Sequence, residues 1–280
     1  MAQGDFAWAL KFMRSGYAGR GLTYTVVAGL SLWALWQGGE AEGTSSALAK
    51  LETDLSGQIA LTLIGLGLLA YTVWRLTSAI YDLEDYGNDG DGLVARLGQV
   101  STGLIHGVLG LFALSLVLIG ASGGGNGSAI ADIASTIMRW PLGRWLIAAA
   151  GLATLGAGAY YVVKAWKESY RKHLRGNKVT ANWNWVLKLG VLAQAIVILI
   201  IGTFLTYAGL TANPDEAAGL DGVWEFLAGQ PFGRVLTLSL CVGLLCFAVF
   251  CFVNAAYRIV PKAADADVTT LAVRLERKIS

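Results

Sequence analysis

The chain has 280 residues, of which 55% are hydrophobic and 14% are charged, and its formal net charge is +2. Soluble domains carry roughly 25% charged residues, so this composition argues against a soluble protein, and its apolar content argues against disorder. The small net charge excludes the strongly basic class of nucleic-acid-binding proteins. Three Cys and two His offer neither a disulfide scaffold nor a zinc module. The composition therefore indicates a polytopic membrane protein.

Six apolar stretches are long enough to cross a bilayer as helices, which takes about 20 residues each. None alternates with period two, as the strands of a membrane β-barrel do. The first stretch has no cleavage site behind it, so we interpret it as a retained helix that extends back toward residue 15. We predict an all-α polytopic membrane protein with six transmembrane helices. Their predicted positions are 22–36, 59–80, 103–120, 145–163, 191–210 and 235–257.

Basic residues are distributed unevenly between the two sides that six helices define. Both termini then share a side, and the excess of Lys and Arg assigns that side to the cytoplasm. The opposite side holds only Lys50, Arg139, Arg144 and Arg234 of the 21 basic residues. The side of the termini holds the other 17, namely Lys11, Arg14, Arg20, Arg75, Arg96, Lys164, Lys167, Arg171, Lys172, Arg175, Lys178, Lys188, Arg258, Lys262, Arg274, Arg277 and Lys278.

The chain contains three copies of one two-helix unit. Each unit begins with a basic residue followed two residues later by glycine, and a small residue follows five residues after that glycine. These residues are Arg14, Gly16 and Gly21, then Arg96, Gly98 and Gly103, then Lys188, Gly190 and Ala195. A second motif begins each return helix, and it consists of Gly57, then Pro141, Gly143 and Arg144, then Pro231, Gly233 and Arg234. Proline at a helix start and glycine at a close approach explain these residue types.

We therefore predict three tandem, parallel helical hairpins related by a pseudo-three-fold axis along the membrane normal. The three units comprise residues 14–92, 93–180 and 181–260. An interfacial N-terminal segment, 1–13, precedes them, and an amphipathic cytoplasmic tail, 261–280, follows them. Between the two helices of each unit lies a short amphipathic pattern that fits a helix on the outer surface, either packed on the hairpin tops or acting as a lid.

The repeated motifs carry a resemblance to a known family. The best copy of the first motif, Arg14 to Gly21, reads Arg-Ser-Gly-Tyr-Ala-Gly-Arg-Gly and includes Arg20, and the third unit has Gln-Pro-Phe-Gly-Arg at 230–234. This pattern resembles the bacterial family known as domain of unknown function 1206, over about residues 10–260. The resemblance implies a six-helix protein of the bacterial inner membrane and no particular activity. The other two copies lack the Tyr and the second Arg, so any role of Arg20 is confined to the first copy.

Few residues suggest chemistry. No Asp or Glu lies inside a predicted span, which argues against a proton- or sodium-coupled transporter. His106 lies in the third span and could ligate a haem or chlorophyll-type metal, although an interhelical hydrogen bond is the simpler interpretation. Residues 82–91 are rich in Asp and Glu, and we interpret them as a solvated, turn-rich connection, although they could instead dock against the basic loop at 164–178. We predict no catalytic residues, no metal site and no bound cofactor.

A run of six basic residues follows the fourth span. Such a run suits the headgroups of anionic lipids, and it also satisfies the topology rule without further function. Its members are Lys164, Lys167, Arg171, Lys172, Arg175 and Lys178.

The function that these patterns favour is that of a non-enzymatic accessory or scaffold protein. Its expected partners are the lipid bilayer, anionic lipids and other membrane subunits, and nucleic acid is not among them. One alternative is a channel or carrier for a small neutral or hydrophobic molecule along the pseudo-three-fold axis, which would require a continuous polar cavity. A weaker alternative is the binding of a pigment or haem through His106.

Overall fold

A computed structural model describes residues 7–119, 129–263 and 269–279 of the chain. These residues form six long helices, and five short helices join or follow them. The long helices are α1 (Ala7–Trp36), α3 (Leu55–Tyr81), α4 (Gly90–Ile119), α6 (Gly143–Trp166), α8 (Asn184–Thr211) and α10 (Gly233–Tyr257). The short helices are α2 (Thr44–Lys50), α5 (Ala129–Met138), α7 (Lys178–Asn182), α9 (Leu220–Ala228) and α11 (Leu271–Ile279).

Each predicted span lies within one of the six long helices, apart from residue 120, which lies outside the described residues. Among the described helices, α3, α4, α6, α8 and α10 are long and apolar enough to cross a membrane. The first helix, α1, has 30 residues but is not one of these five. By length and hydropathy, the described residues therefore contain five candidate transmembrane helices and not the six that we predicted. Its apolar half is interrupted by Arg20, Thr23, Tyr24 and Thr25, which lower its mean hydropathy.

The three units share the succession of a long helix, a short helix and a second long helix. At the start of the second long helix, Gly57, Gly143 and Gly233 play the same part. A side chain at any of them would collide with a backbone carbonyl at the end of the preceding short segment: Leu51, Ile137 or Ala228 respectively. Glycine is therefore required there by close backbone approach.

The entry into that helix differs between the units. In the second and third units, Leu142 and Phe232 adopt a left-handed backbone conformation with φ of 63° before the glycine. In the first unit, Asp54 instead caps the helix, and its side chain accepts a hydrogen bond from Gly57 N. The capping aspartate takes the place of the missing Pro and Arg.

The long helices pack in the spatial order α4, α3, α1, α10, α8, α6. Units one and three are packed hairpins, α1 on α3 and α8 on α10. In the second unit, α4 packs on α3 and α6 packs on α8, and the described residues show no extensive contact between α4 and α6. The prediction of three equivalent hairpins therefore fails for the second unit. Its two helices instead lie at the two ends of this packing order.

Glycines set the closest helix contacts. Gly16 and Gly19 of α1 lie against the backbone of α3 at Tyr71 and Gly67, and Gly190 of α8 lies against the backbone of α10 at Cys246. Such contacts let helices approach closely where no hydrophobic effect drives them together. At the equivalent Gly98, an added Cβ would meet no atom of another element within 4 Å. The first glycine of the motif thus has a packing role in units one and three and none in the second, where Gly103 instead lies close to Arg75 of α3.

Helix α1 begins, and helices α3, α6 and α10 terminate, at the same end of the bundle, which we call the basic end. We call the opposite end the far end. At the far end, α2 and α9 bury Leu48, Val223 and Trp224 in the bundle, which fits the first of the two alternatives, packing on the hairpin tops. The indole Nε1 of Trp224 donates to the Glu42 carbonyl at 2.8 Å. At the basic end, α11 buries Leu271 against the chain itself.

Packing at two glycines of α6 gives a testable contrast. Gly151 lies against the backbone of Thr206 in α8, whereas a Cβ added at Gly156 would meet no atom of another element within 4 Å. We expect Gly151→Ala to destabilise the protein by about 1–3 kcal/mol through overpacking. Gly156→Ala should be neutral or stabilising by up to about 1 kcal/mol, because alanine favours the helix. Thermal unfolding of both variants in one detergent checks this, and equal losses of Tm would contradict it.

Candidate functional site

The most polar part of the interior surrounds Tyr71, whose side chain is fully buried. Its hydroxyl accepts hydrogen bonds from Arg20 Nη1 and from Arg75 Nε, both at 2.8 Å. Both guanidinium groups also lie against the Tyr71 ring, with their carbons 4.9 and 5.2 Å from its centroid. The close approach of α1 to α3 at Gly16 brings Arg20 within reach of this hydroxyl. One tyrosine thus joins two arginines in the buried interior.

Glu84 neutralises the part of this cluster that lies nearest the basic end. Its carboxylate accepts from Arg258 Nη2 at 2.6 Å and from the Tyr86 hydroxyl at 2.9 Å, and Arg75 lies 3.8 Å away. Burial by itself raises the pKa of Glu84, but the charges of Arg258 and Arg75 outweigh it and hold that pKa well below the usual range. Glu84 is therefore ionised at neutral pH.

This placement corrects the interpretation of a solvated connection for residues 82–84, whereas Asp85, Asn88, Asp89 and Asp91 are exposed. The Glu84 side chain is only 1% exposed. Asp82 accepts hydrogen bonds from the backbone N–H groups of Tyr86 and Gly87, which close a turn directly after α3. The segment folds inward because two arginines at the helix ends require an anion.

Arg20 differs from the other buried arginines because none of the ion pairs among the described residues includes it. The residue is 4% exposed, and its Nε has no hydrogen-bond partner. Besides Tyr71, its guanidinium carbon lies 5.4 Å from the Phe247 ring centroid and 5.8 Å from that of Tyr24. Aromatic rings stabilise a cation by about 0.5–2 kcal/mol, far less than the cost of burying a charge.

A small cavity of about 40 Å³ adjoins Arg20. Water requires about 10–15 Å³ on the same measure, so the cavity has room for a few waters or one small ion. Residues of α1, α2, α3 and α4 line it: Arg20, Thr23, Tyr24, Val27, Thr44, Leu68, His106 and Leu109.

His106 lies on this cavity and not on an outer face of α4. Its Nδ1 lies 2.8 Å from the Thr102 carbonyl, which can only accept, so Nδ1 carries the proton. In the neutral ring Nε2 is then a hydrogen-bond acceptor. The centroid of the His106 ring lies 5.0 Å from the centroid of the Tyr71 ring. Because the cavity is far smaller than a tetrapyrrole, this geometry gives no support to a pigment or haem at His106.

The run of six basic residues divides into two groups. Lys164 turns inward, with Nζ 5.2 Å from the Tyr161 ring centroid and 5.9 Å from that of Phe250. Arg171 forms an ion pair with Glu168 and donates to Asn184 Oδ1. The remaining members are exposed, namely Lys167, Lys172, Arg175 and Lys178. Only this second group has the accessibility that lipid headgroups require.

The basic residues of the repeated motifs bind backbone and side chains of their neighbours. Arg96 donates to the carbonyls of Ala79 and Ile80 at the end of α3, and Lys188 pairs with Glu168 just after α6. Arg234 donates to the Leu35 carbonyl at the end of α1. Three of these basic residues are exposed, Arg14, Arg144 and Arg234, and Arg144 stacks on the Trp145 ring. Arg96, Lys188 and Arg234 therefore each connect their own helix to the end of a neighbouring helix.

Other candidates for chemistry are few. Cys241, Cys246 and Cys251 are free thiols on α10. Within the described residues, no group of three or more His, Cys, Asp or Glu is arranged to hold a metal ion.

The comparison with known proteins agrees with the three units. A family described as Domain of Unknown Function (DUF1206) matches residues 15–82, 97–168 and 189–258. The chain belongs to this family. It is 28% identical over 255 residues to "Uncharacterized protein YxxB" of Bacillus subtilis strain 168, which covers 90% of this chain and 92% of the relative. No solved structure matches it. The resemblance predicted from the repeated motifs is confirmed, and membership of the family assigns no activity.

Sequence reasoning singled out Arg20 and His106 but not Glu84, Arg75, Tyr71 or Arg258. Glu84 and Arg258 lie just beyond helix ends, where charged residues are ordinary, whereas Tyr71 and Arg75 lie inside α3. One signal was available: Arg20 lies in the extended first span, and an ionisable residue inside a membrane helix requires a partner.

Replacing the central anion tests the buried network. We expect Glu84→Gln to cost about 3–5 kcal/mol of folding free energy, because Arg258 and Arg75 lose their buried counter-charge. Lys262→Gln is the matched control: its partner Asp82 is 3.4 Å away and the lysine side chain is 41% exposed, so the loss should be about 0–1 kcal/mol. Unfolding in detergent measures both, and similar losses would show that Glu84 is not central.

Proposed function

We propose that this protein is a non-enzymatic accessory protein of the bacterial inner membrane that binds anionic lipids at its basic end and supports a larger membrane assembly. The observation that carries this proposal is the exposed basic group at that end. Lys167, Lys172, Arg175 and Lys178 are exposed, and each basic residue near an anionic leaflet contributes about 1 kcal/mol.

Exposed tryptophans close to this basic group support the same reading. Trp166 is 81% exposed, and Trp183 and Trp185 flank the start of α8 with 49% and 64% exposure. Trp is enriched where membrane helices cross the headgroup region, because its ring is apolar and its N–H is polar. Basic and aromatic residues together thus suit the cytoplasmic leaflet interface.

The proposal includes α1 as a sixth transmembrane helix. It packs between α3 and α10, and its polar groups at Arg20, Thr23 and Ser31 are buried by these neighbours. Packing inside a bundle permits a less apolar sequence, because the polar side faces protein and not lipid. Six spans place both termini at the basic end, and the excess of Lys and Arg at that end favours the cytoplasm.

The channel or carrier alternative has less support. The cavity beside Arg20 is about 40 Å³, which holds a few waters and not a continuous hydrated path. The close helix contacts at Gly16, Gly19 and Gly190 likewise favour a packed interior. We therefore place the scaffold interpretation first.

The topology has a direct test. A reporter that is active only in the cytoplasm, fused after Ser280, should be active, and one inserted in the far-end loop between α8 and α9 should be inactive. An inactive C-terminal fusion would place the basic end outside and would overturn the proposed orientation. The inserted fusion serves as the matched control, because it reports the opposite side of the same protein.

Lipid binding is tested with defined bilayers. In nanodiscs of phosphatidylglycerol, the Tm should exceed that in phosphatidylcholine discs by several degrees, since the four exposed charges add roughly 1 kcal/mol each. Replacing Lys167, Lys172, Arg175 and Lys178 by Gln should remove most of this difference. The control, Lys50→Gln with Arg139→Gln at the far end, should retain most of it. If the four-residue variant keeps the full difference, the basic end is not the lipid site.

A further inference from the structure

Arg20 has a feature that neither family membership nor lipid binding explains: a buried positive charge with an unused donor beside a cavity. The residue is 4% exposed and its Nε has no partner. Its Nη1 is occupied by the Tyr71 hydroxyl at 2.8 Å. In a membrane bundle, a buried cation of this kind is paired with an anion, and no described carboxylate forms an ion pair with it.

The surrounding charges cannot supply that anion. Glu84, the nearest buried carboxylate of the cluster, already accepts from Arg258 and Tyr86 and lies 3.8 Å from Arg75. Further positive charge comes from Lys164, which lies against Phe250, and Phe250 stacks on the Phe247 ring that Arg20 also contacts. His173 adds no charge near neutral pH, because burial lowers its pKa to about 4. The interior therefore has more positive than negative charge.

The cavity beside Arg20 has the size and the polar groups for a small ligand. Its volume is about 40 Å³, which fits one compact ion and excludes an acyl chain. Tyr24 and His106 are among the residues that line it, and the neutral His106 ring can accept at Nε2 because its Nδ1 donates to the Thr102 carbonyl. An acceptor beside a cation suits an anion that carries an O–H group, or an anion with one water.

We propose that Arg20 is the centre of a binding site for a small monovalent anion, chloride-sized or a short oxyanion such as formate or bicarbonate, within the bundle. Arg20 donates to the anion, Tyr24 adds a hydroxyl, and His106 accepts from an O–H of the ligand or of its water. Leu68, Leu109 and Val27 form the apolar wall that keeps out larger ions. This site does not depend on the lipid-binding proposal, because it uses none of the exposed basic residues.

The experiment measures thermal unfolding of the detergent-solubilised protein at constant sodium concentration and ionic strength. Chloride, formate and bicarbonate each replace gluconate stepwise, and a further series adds dodecanoate below its micellar concentration. We expect a saturable rise in Tm with the three compact anions and none with gluconate. Stabilisation by dodecanoate alone would mean that the Arg20 ligand is the headgroup of an amphiphile, which overturns the free-anion site.

Variants locate the effect. Arg20→Gln should raise the anion concentration needed for half-saturation by more than about tenfold. The reason is that one charge-assisted hydrogen bond contributes at least that factor to the affinity. Arg14→Gln is the matched control, because it removes the same charge from an exposed position of the same helix, and it should leave the titration unchanged. An equal effect of both variants would show surface screening and would refute the site.

A second variant covers the case in which Arg20→Gln does not fold. Leu109→Phe fills the cavity and leaves every charge in place, so the Tm in gluconate should change little while the saturable rise disappears. Persistence of the rise in this variant would place the anion elsewhere. In crystals of the unaltered protein grown with bromide, anomalous scattering should show a peak beside Arg20, and its absence at saturating bromide would contradict the proposal.

Discussion

The contact between α1 and α3 is the constraint on which the polar interior depends. Gly16 and Gly19 on one helix meet Tyr71 and Gly67 on the other at backbone distance. Because the helices are this close, Arg20 reaches the Tyr71 hydroxyl, and Arg75 reaches it from one turn further along α3. Glu84 and Arg258 then tie α3 to the end of α10. Small residues thus place a charged network that apolar packing alone would not tolerate.

This network explains how a helix of modest hydropathy holds an internal position. The helices on either side of α1 cover its polar groups, and its hydroxyls bond back to its own carbonyls, as Thr23 does to Gly19 and Thr25 to Gly21. The most apolar stretches of α4 and α6 are only 28% and 22% buried within the protein, as expected of helices at the two ends of the packing order.

The three units have diverged unequally, and only the first carries an arginine at the position of Arg20. The glycine at the start of each return helix is retained because a carbonyl lies where a side chain would be. By contrast, the second Arg of the first motif occurs only as Arg20, with Thr102 and Gln194 at the matching positions. Tyr24 and His106 occupy equivalent positions and line the same cavity. The repeat thus directs equivalent side chains inward, but only one unit supplies the charge.

The sequence by itself determined the membrane class, the positions of the long helices, the three units, the family and the short outer helices, because hydropathy, periodicity and local spacing are properties of adjacent residues. Only the tertiary structure decided which helices are neighbours, and it separated α4 from α6 although they belong to one unit. It also buried Glu84, which looked solvated in an acidic run, because its partners Arg75 and Arg258 lie 9 and 174 positions away in the chain. Long-range charge pairing leaves no local pattern, so the centre of the site emerged only from the fold.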